Sequence, residues 1–350
     1  MLKWLLTYCY CWAVIGCFAQ NHSYRQYTTD DGLPTNYVYG VIEDDDGYIW
    51  AYTENGISKF DGQHFHNYTT ADGLPHNDVV YMQKDKYGTL WCRTLGNTAT
   101  YVAGDSITYI PFQAGNLTGM SKINALVYYH GLKSLYTFRN GKLLDSISYI
   151  PDTLYKKGYW LAPSSDTSYV GYDFERQVYL EYKDKELKSY PMSIKLDLKE
   201  HRQWRVTAGI QAFSLMLTNK GLYTTNKTTH ISQYYTWQDL LGTNIKQSFA
   251  HTNNPNQVVI CTEKGTIFLD KRGKAQGVFL PKNISNQYTL HRLFIDSQGN
   301  YWQGTREGGL FFISHKVLRT ELLQADIAED VLVEKLFQKD KHIYLSLIHI

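Results

Sequence analysis

Three aspartates and a glycine, Asp44-Asp45-Asp46-Gly47, are the residues in this chain that most invite a chemical role. A calcium loop needs oxygen ligands at alternate positions and a glutamate further on. Ile42 occupies one of those positions, and Thr53 stands where the bidentate glutamate belongs. A hairpin turn is therefore the better reading. The 12 histidines are dispersed. His64 and His66 share one predicted strand face, but no acidic or histidine partner follows at ligand spacing. No Gly-x-Ser-x-Gly, phosphate loop or pair of catalytic carboxylates is found. Accordingly no catalytic, metal-binding or cofactor-binding residue is assigned and no cofactor is expected. Sites built from distant segments leave no linear motif, so the residues contacting a ligand stay unnamed.

The bulk composition narrows the class of protein. The chain has 350 residues, 43% hydrophobic and only 19% charged, which excludes wholesale disorder. Tyrosine reaches 30 copies and aromatics 15%, a bias that suits pleated, half-buried strands. Net charge is +2 and falls to +1 without Lys3. Nucleic-acid binding needs a basic field that such a chain lacks. Five cysteines reduce to Cys92 and Cys261 once the leader is set aside. Far apart on predicted strands, these two read as buried packing residues, with neither a disulfide framework nor a zinc site.

Residues 1–19 read as an export signal. Lys3 gives a positive start, an apolar run follows from Trp4 to Phe18, and small residues precede Gln20, the expected mature start. Val14-Ile15-Gly16-Cys17 offers a second reading, a lipoprotein box with lipid on Cys17. A third leaves the segment uncleaved, although about fifteen apolar residues is short for a span of roughly twenty. All three export the chain.

The elements that would position any site follow from a repeat. Tyr27-Thr28-Thr29-Asp30-Asp31-Gly32-Leu33-Pro34-Thr35-Asn36 returns, 41 residues on, as Tyr68-Thr69-Thr70-Ala71-Asp72-Gly73-Leu74-Pro75-His76-Asn77. The offset persists through Gly47 and Gly88, Trp50 and Trp91, and Thr53 and Thr94. Asp44-x-x-Gly47-x-x-Trp50-x-x-Thr53-x-x-Gly56 recurs as Asp296-x-x-Gly299-x-x-Trp302-x-x-Thr305-x-x-Gly308, displaced by 252, close to six times 41. Weaker echoes lie at Gly131–Tyr136, Leu217–Tyr223 and Cys261–Ile267. Each unit has room for four short strands: Val38–Asp44, Tyr48–Thr53, Ile57–Phe60 and His64–Tyr68 in the first. Glycine-bearing turns separate them. About seven four-stranded units of forty-odd residues predict an all-β propeller over 23–318. Trp50, Trp91 and Trp302 are expected to fill the packing between units, because no unit can bury both faces alone.

The pattern Asp-Gly-Leu-Pro-x-Asn, then Asp-x-x-Gly-x-Ile/Leu-Trp, then Thr-x-x-Gly-Leu/Ile resembles the two-component regulator propeller repeats. It is met twice almost fully and once in part. The resemblance implies the extracytoplasmic sensor half of a bacterial histidine kinase or hybrid regulator. It implies a small soluble ligand such as a glycan fragment, and a homodimer in the intact protein. It also implies a periplasmic location with an inner-membrane anchor, and a kinase and response regulator reached through a C-terminal region. Residues 319–344 read as the start of a further blade or second propeller. Leu345-Ser346-Leu347-Ile348-His349-Ile350 is the peptide a common sequencing adapter would encode, so 345–350 reads as an artefact of a truncated frame. Two further readings stay open: an exported glycan-binding module or envelope scaffold without a kinase, and a propeller polysaccharide lyase or hydrolase.

Overall fold

The computed structural model describes residues 24–95, 98–111, 117–123, 126–131, 135–139, 142–147, 160–163, 168–173, 176–183, 186–195, 204–207, 213–246, 248–254, 257–270, 272–279, 281–315, 331–339 and 342–349. The expected leader, residues 1–19, lies outside them, as do residues 316–330. Strand β1 (Arg25–Tyr27) comes first. The first sheet follows with β2 (Val38–Glu43), β3 (Ile49–Thr53), β4 (Gly56–Phe60) and β5 (Phe65–Tyr68). The second holds β6 (Val79–Lys84), β7 (Leu90–Thr94), β8 (Thr98–Ala103) and β9 (Ser106–Pro111). The third holds β10 (Leu117–Ile123), β11 (Leu126–Gly131), β12 (Leu135–Arg139) and β13 (Lys142–Ile147). The fourth holds β14 (Trp160–Pro163), β15 (Ser168–Asp173), β16 (Val178–Lys183) and β17 (Glu186–Pro191). The fifth holds β18 (Trp204–Thr207), β19 (Phe213–Thr218), β20 (Gly221–Asn226) and β21 (Ser232–Thr236), followed by helix α1 (Trp237–Leu241). The sixth holds β22 (Ser248–Asn254), β23 (Gln257–Thr262), β24 (Thr266–Asp270) and β25 (Ala275–Phe279), followed by helix α2 (Lys282–Ser285). The seventh holds β26 (Leu290–Ile295), β27 (Tyr301–Thr305) and β28 (Leu310–Ile313), and β1 completes it as the outer strand.

Each of the first six sheets is a meander whose neighbours in sequence are neighbours in space. The seventh takes its fourth strand from the other end of the chain, so the first sheet and the last are tied covalently and by strand pairing. The sheets stack face to face, as clusters of buried side chains show. Trp50, Tyr52 and Ile57 of the first sheet pack with Val79, Met82, Leu90 and Cys92 of the second. Trp91 and Ala99 of the second pack with Val127, Tyr129 and Phe138 of the third. Trp302 and Leu310 of the seventh pack with Val38, Ile49, Ala51 and Phe60 of the first. Strand β3 is thus buried along its whole length. Its alternate residues face two different sheets, Trp50 and Tyr52 one way and Ile49 and Ala51 the other. Trp50, Trp91 and Trp302 are 1%, 0% and 5% exposed, which places the repeat tryptophan at a sheet-to-sheet seam in all three copies.

The remaining described strands, β29 (Val331–Lys339) and β30 (His342–His349), form an antiparallel hairpin of their own. They belong to a second compact unit, distinct from the Gln26–Phe312 unit that holds the stacked sheets. Residues 345–349 of the six-residue tail lie within β30.

Candidate functional site

The repeat motif builds two kinds of end on the first strands of the sheets that carry it. At the outgoing end, the first aspartate of Asp-x-x-Gly-x-x-Trp is a hydrogen-bond hub. Asp44 Oδ1 accepts from the Asp46 and Tyr48 amides at 3.0 and 2.9 Å, and Oδ2 accepts from the Trp50 indole at 2.8 Å. Asp85 does the same for Tyr87, Thr89 and Trp91 at 2.8, 3.0 and 3.0 Å. Asp296 repeats it for Gln298, Asn300 and Trp302 at 3.0, 2.8 and 2.9 Å. Gly47, Gly88 and Gly299 take positive φ in these turns. One carboxylate therefore caps the hairpin and fixes the core tryptophan. The Asp44 oxygens are committed to these donors, and among the described residues no group of three His, Cys, Asp or Glu side chains could hold a metal. His64 lies in the turn before β5 rather than on the strand with His66, and it faces Asp61 at 3.7 Å.

At the incoming end, the Asp-Gly-Leu-Pro-x-Asn segment is a self-bracing linker. Residues Thr29–Asp31 make one 3-10 turn closed by a capping box between Thr28 and Asp31. Gly32 ends it at φ 104°, a conformation only glycine adopts freely, and Leu33 is buried beneath. Asn36 Oδ1 then accepts from the Thr29 amide at 2.9 Å. The twin repeats every contact through Thr69, Asp72, Gly73 and Leu74, with Asn77 Oδ1 on the Thr70 amide at 2.8 Å. The Asn36 carbonyl accepts from Gly309 and the Asn77 carbonyl from Gly56, so each linker is clipped to the β27–β28 or β3–β4 turn of the preceding sheet. In those turns the repeat threonine closes a tight loop: Thr53 donates to the Gly56 carbonyl and Thr305 to that of Gly309, both at 2.8 Å. Thr218 and Thr262 make the same bond to Gly221 and Gly265 at 2.9 and 2.8 Å. The Leu217–Tyr223 and Cys261–Ile267 echoes therefore occupy the equivalent turns of the fifth and sixth sheets. Thr94 is buried at the end of β7, and Pro34 and Pro75 are half-buried in their linkers.

Beside these clipped linkers the first, second and seventh sheets bring together a cluster of aromatic and charged side chains, called the mouth below. Just inside it the inner strands lose register: between Val38 and Gly40, between Val79 and Tyr81, and between Leu290 and Leu293. Such bulges re-aim side chains relative to regular pleating. They bring Tyr39 and His291 beside Tyr37, with ring centroids 4.9 Å apart for Tyr37–Tyr39, 5.1 Å for Tyr37–His291 and 5.4 Å for Tyr39–His291. The Arg306 guanidinium lies 5.8 Å over the Tyr37 ring. The Tyr39 phenol acts on the Asp78 carboxylate, whose Oδ1 is buried without a hydrogen-bond partner. Burial and the Asp78 charge hold the Tyr39 phenol well above its usual range. Burial likewise raises the Asp78 carboxyl, against the Tyr39 phenol and the charge of His76. His291 is 4% exposed, and burial, helped by Arg292 and Arg306, brings its pKa down to about 4. At neutral pH it is an uncharged ring.

Beneath the mouth, Arg292 reaches from β26 across the first sheet. Its Nη1 donates to the Val80 carbonyl at 3.2 Å, its guanidinium lies 4.7 Å over the Tyr81 ring, and its charge acts on the buried Tyr52 phenol. Gly40 makes room for this bridge, since a Cβ there would collide with the Tyr52 hydroxyl. The two cysteines are buried and free. Burial raises both thiols, Cys261 to about 11, which leaves them unreactive at neutral pH.

The sequence assigned no ligand contacts, and the mouth residues Tyr37, Tyr39, Asp78, His291 and Arg306 went unflagged. A faint signal existed for two of them: Tyr39 and Asp78 are the residues that flank the repeat valines Val38 and Val79. His291 and Arg306 carried none.

Stacked four-stranded meanders closed by a strand from the opposite terminus define a β-propeller. Residues 32–55 match the two component regulator propeller family model, so the chain carries that repeat. The fold is similar to the extracellular domain of BT3049 from B. thetaiotaomicron, described as a hybrid two component system. Identity there is 17%, the TM-score 0.59, with 93% of this chain and 48% of that one covered. It is also similar to the extracellular domain of BT4673 from the same organism, at 15% identity and TM-score 0.56, covering 83% of this chain and 40% of that one. A streptogramin B lyase structure matches at 12% identity and TM-score 0.60, with 83% and 95% covered. This chain thus spans less than half of each two-component ectodomain, and at these identities the likeness is one of fold. No curated protein sequence matches the chain.

Proposed function

We propose that this chain is the exported, ligand-sensing propeller of a two-component signal-transduction protein. A small soluble ligand binds at the mouth between the first, second and seventh sheets, and a kinase and response regulator read the result through a region beyond the propeller. The observation that carries this reading is the mouth itself. It gathers aromatic rings, a buried carboxylate oxygen without a partner and an exposed arginine beside hydrogen-bonded linkers. Preorganised polar groups amid aromatic surface are what small-molecule sites require. The regulator propeller repeat at 32–55 and the likeness to two-component ectodomains support the signalling context. Export to the periplasm follows from the same context and from the expected leader. Inner-membrane anchoring and a homodimer belong to the proposed intact protein. Among the described residues no helix is long and apolar enough to cross a membrane.

No enzymatic role is proposed for the chain. The ligand need favour one arrangement of a sensor pair by only a few kcal/mol to switch it. The test is a panel of soluble glycan fragments and metabolites screened by thermal shift against the chain and its Tyr39→Ala variant. A ligand that raises the midpoint of the former and leaves the latter unmoved supports sensing at the mouth. Hits insensitive to Tyr39→Ala would move the site elsewhere. New chain ends on incubation with polysaccharides would instead make the protein a lyase or hydrolase.

A further inference from the structure

Three features of the mouth point to one ligand chemistry. The first is the pair of rings: Tyr37 and Tyr39 are both half-exposed, lie 4.9 Å apart and are tilted by 58°, so two aromatic rings sit side by side at the surface. Ring faces are negative and attract cations. The second is Asp78 Oδ1, a buried carboxylate oxygen beside Tyr39 that receives no hydrogen bond. An unmet acceptor of that kind costs stability until something donates to it. The third is that the mouth already holds a cation loosely. Arg306 sits over Tyr37 at 5.8 Å, near the outer limit of such a contact, and it is exposed and paired with Glu307 at 3.5 Å.

The charges around the rings agree with this. Glu54, Asp78 and Glu307 all act on Tyr37, with Arg306 as the opposing charge, whereas Asp78 and Glu54 act on Tyr39. Arg292 is turned down onto Tyr81 and the Val80 carbonyl, away from this rim. Arg93 acts on Asp78 from β7. An anionic ligand would meet the Asp78 carboxylate, and the exposed arginine at the rings, Arg306, is already paired with Glu307.

Resting on the mouth as the sensing site, we propose that the ligand is held through a cationic nitrogen, an ammonium or guanidinium group. That group lies against Tyr37 and Tyr39, pairs with the Asp78 carboxylate and displaces Arg306. The ligand is then an amine-bearing small molecule, and Arg306 is its internal competitor.

The experiment titrates the purified chain by calorimetry with 3-methylbutylamine, a primary ammonium at pH 7, with its neutral counterpart 3-methylbutan-1-ol, and with glucose. The amine should bind about 10-fold more tightly than the alcohol, the discrimination expected of a desolvated cation–aromatic contact. Asp78→Asn should weaken the amine about 5-fold or more, and Arg306→Gln should tighten it about 2- to 5-fold. A tightening on losing an exposed arginine is a result no folding defect produces. Equal binding of the amine and the alcohol, or weaker amine binding by Arg306→Gln, overturns the cationic class. Glucose binding that Tyr39→Ala abolishes, with the amine silent, overturns the cationic class and leaves the mouth as the sensing site. Silence of all three probes, together with a ligand panel insensitive to Tyr39→Ala, removes both.

Discussion

The two ends of the inner strands use the same residue types to opposite purposes. At the outgoing ends of β2, β6 and β26, the carboxylates of Asp44, Asp85 and Asp296 each satisfy two amides and a tryptophan indole. At the incoming ends, Asp78 is left with a buried oxygen that nothing meets, among tyrosines that are only half-buried. A carboxylate whose acceptors are all used stabilises the fold; one left short waits for a donor from outside. The difference separates the structural rim from the binding rim more clearly than aromatic content does, since both are rich in rings.

The largest expected effect lies on the structural rim. Trp91→Ala should cost about 4 kcal/mol, because it removes a fully buried ring and leaves Asp85 short of a donor. Urea denaturation measures it, and a loss under about 1 kcal/mol would break the contrast. The next lies at the mouth and concerns pH. His291 has a folded pKa of about 4 against an ordinary 6.5, so between those values the unfolded chain binds the extra proton. Stability is then fully present above pH 6.5 and is lost as pH falls towards 4, by about 3 kcal/mol from this ring. His291→Gln should flatten that stretch of the stability–pH curve. An unchanged slope would show that the ring is not held neutral.

Beneath the mouth, Gly40→Ala should cost about 2 kcal/mol by forcing Tyr52 and Arg292 apart. The same substitution at Gly62, which has nothing within 4 Å of a Cβ, is strained only by its φ of 100° and should cost less. Smallest of all, Tyr37→Ala should cost about 1 kcal/mol or less, since the ring is half-exposed. A loss as large as that of Trp91→Ala would make the mouth a piece of core.

Much of the structural rim was legible in the sequence. A constant spacing of six residues from aspartate to tryptophan, with glycine midway, runs through Asp44, Asp85 and Asp296. It needs only neighbouring residues to work, which is why it survives as a pattern. What the spacing did not disclose was that the carboxylate binds the indole; the aspartates read as turn formers alone. The mouth was illegible for the opposite reason. Tyr37 and Tyr39, Asp78, His291 and Arg306 come from three sheets that meet only because β1 joins β28 and closes the stack. Two of the five are tyrosines in a chain with 30, so their residue type does not mark them. The bulges that turn Tyr39 and His291 into the mouth also have no signature, because the valines and leucines around them read as regular strand.

A matched pair of substitutions puts the contrast to the most direct test. At pH 7, Asp78→Asn removes a charge that burial disfavours, so the thermal midpoint should rise, with the gain shrinking as pH falls towards 4. Asp85→Asn turns one acceptor into a donor facing amides or the Trp91 indole, so the midpoint should fall. Opposite signs are the predicted result. A fall in both, of similar size, would mean that Asp78 is one more structural carboxylate and that the mouth is not set aside for a ligand.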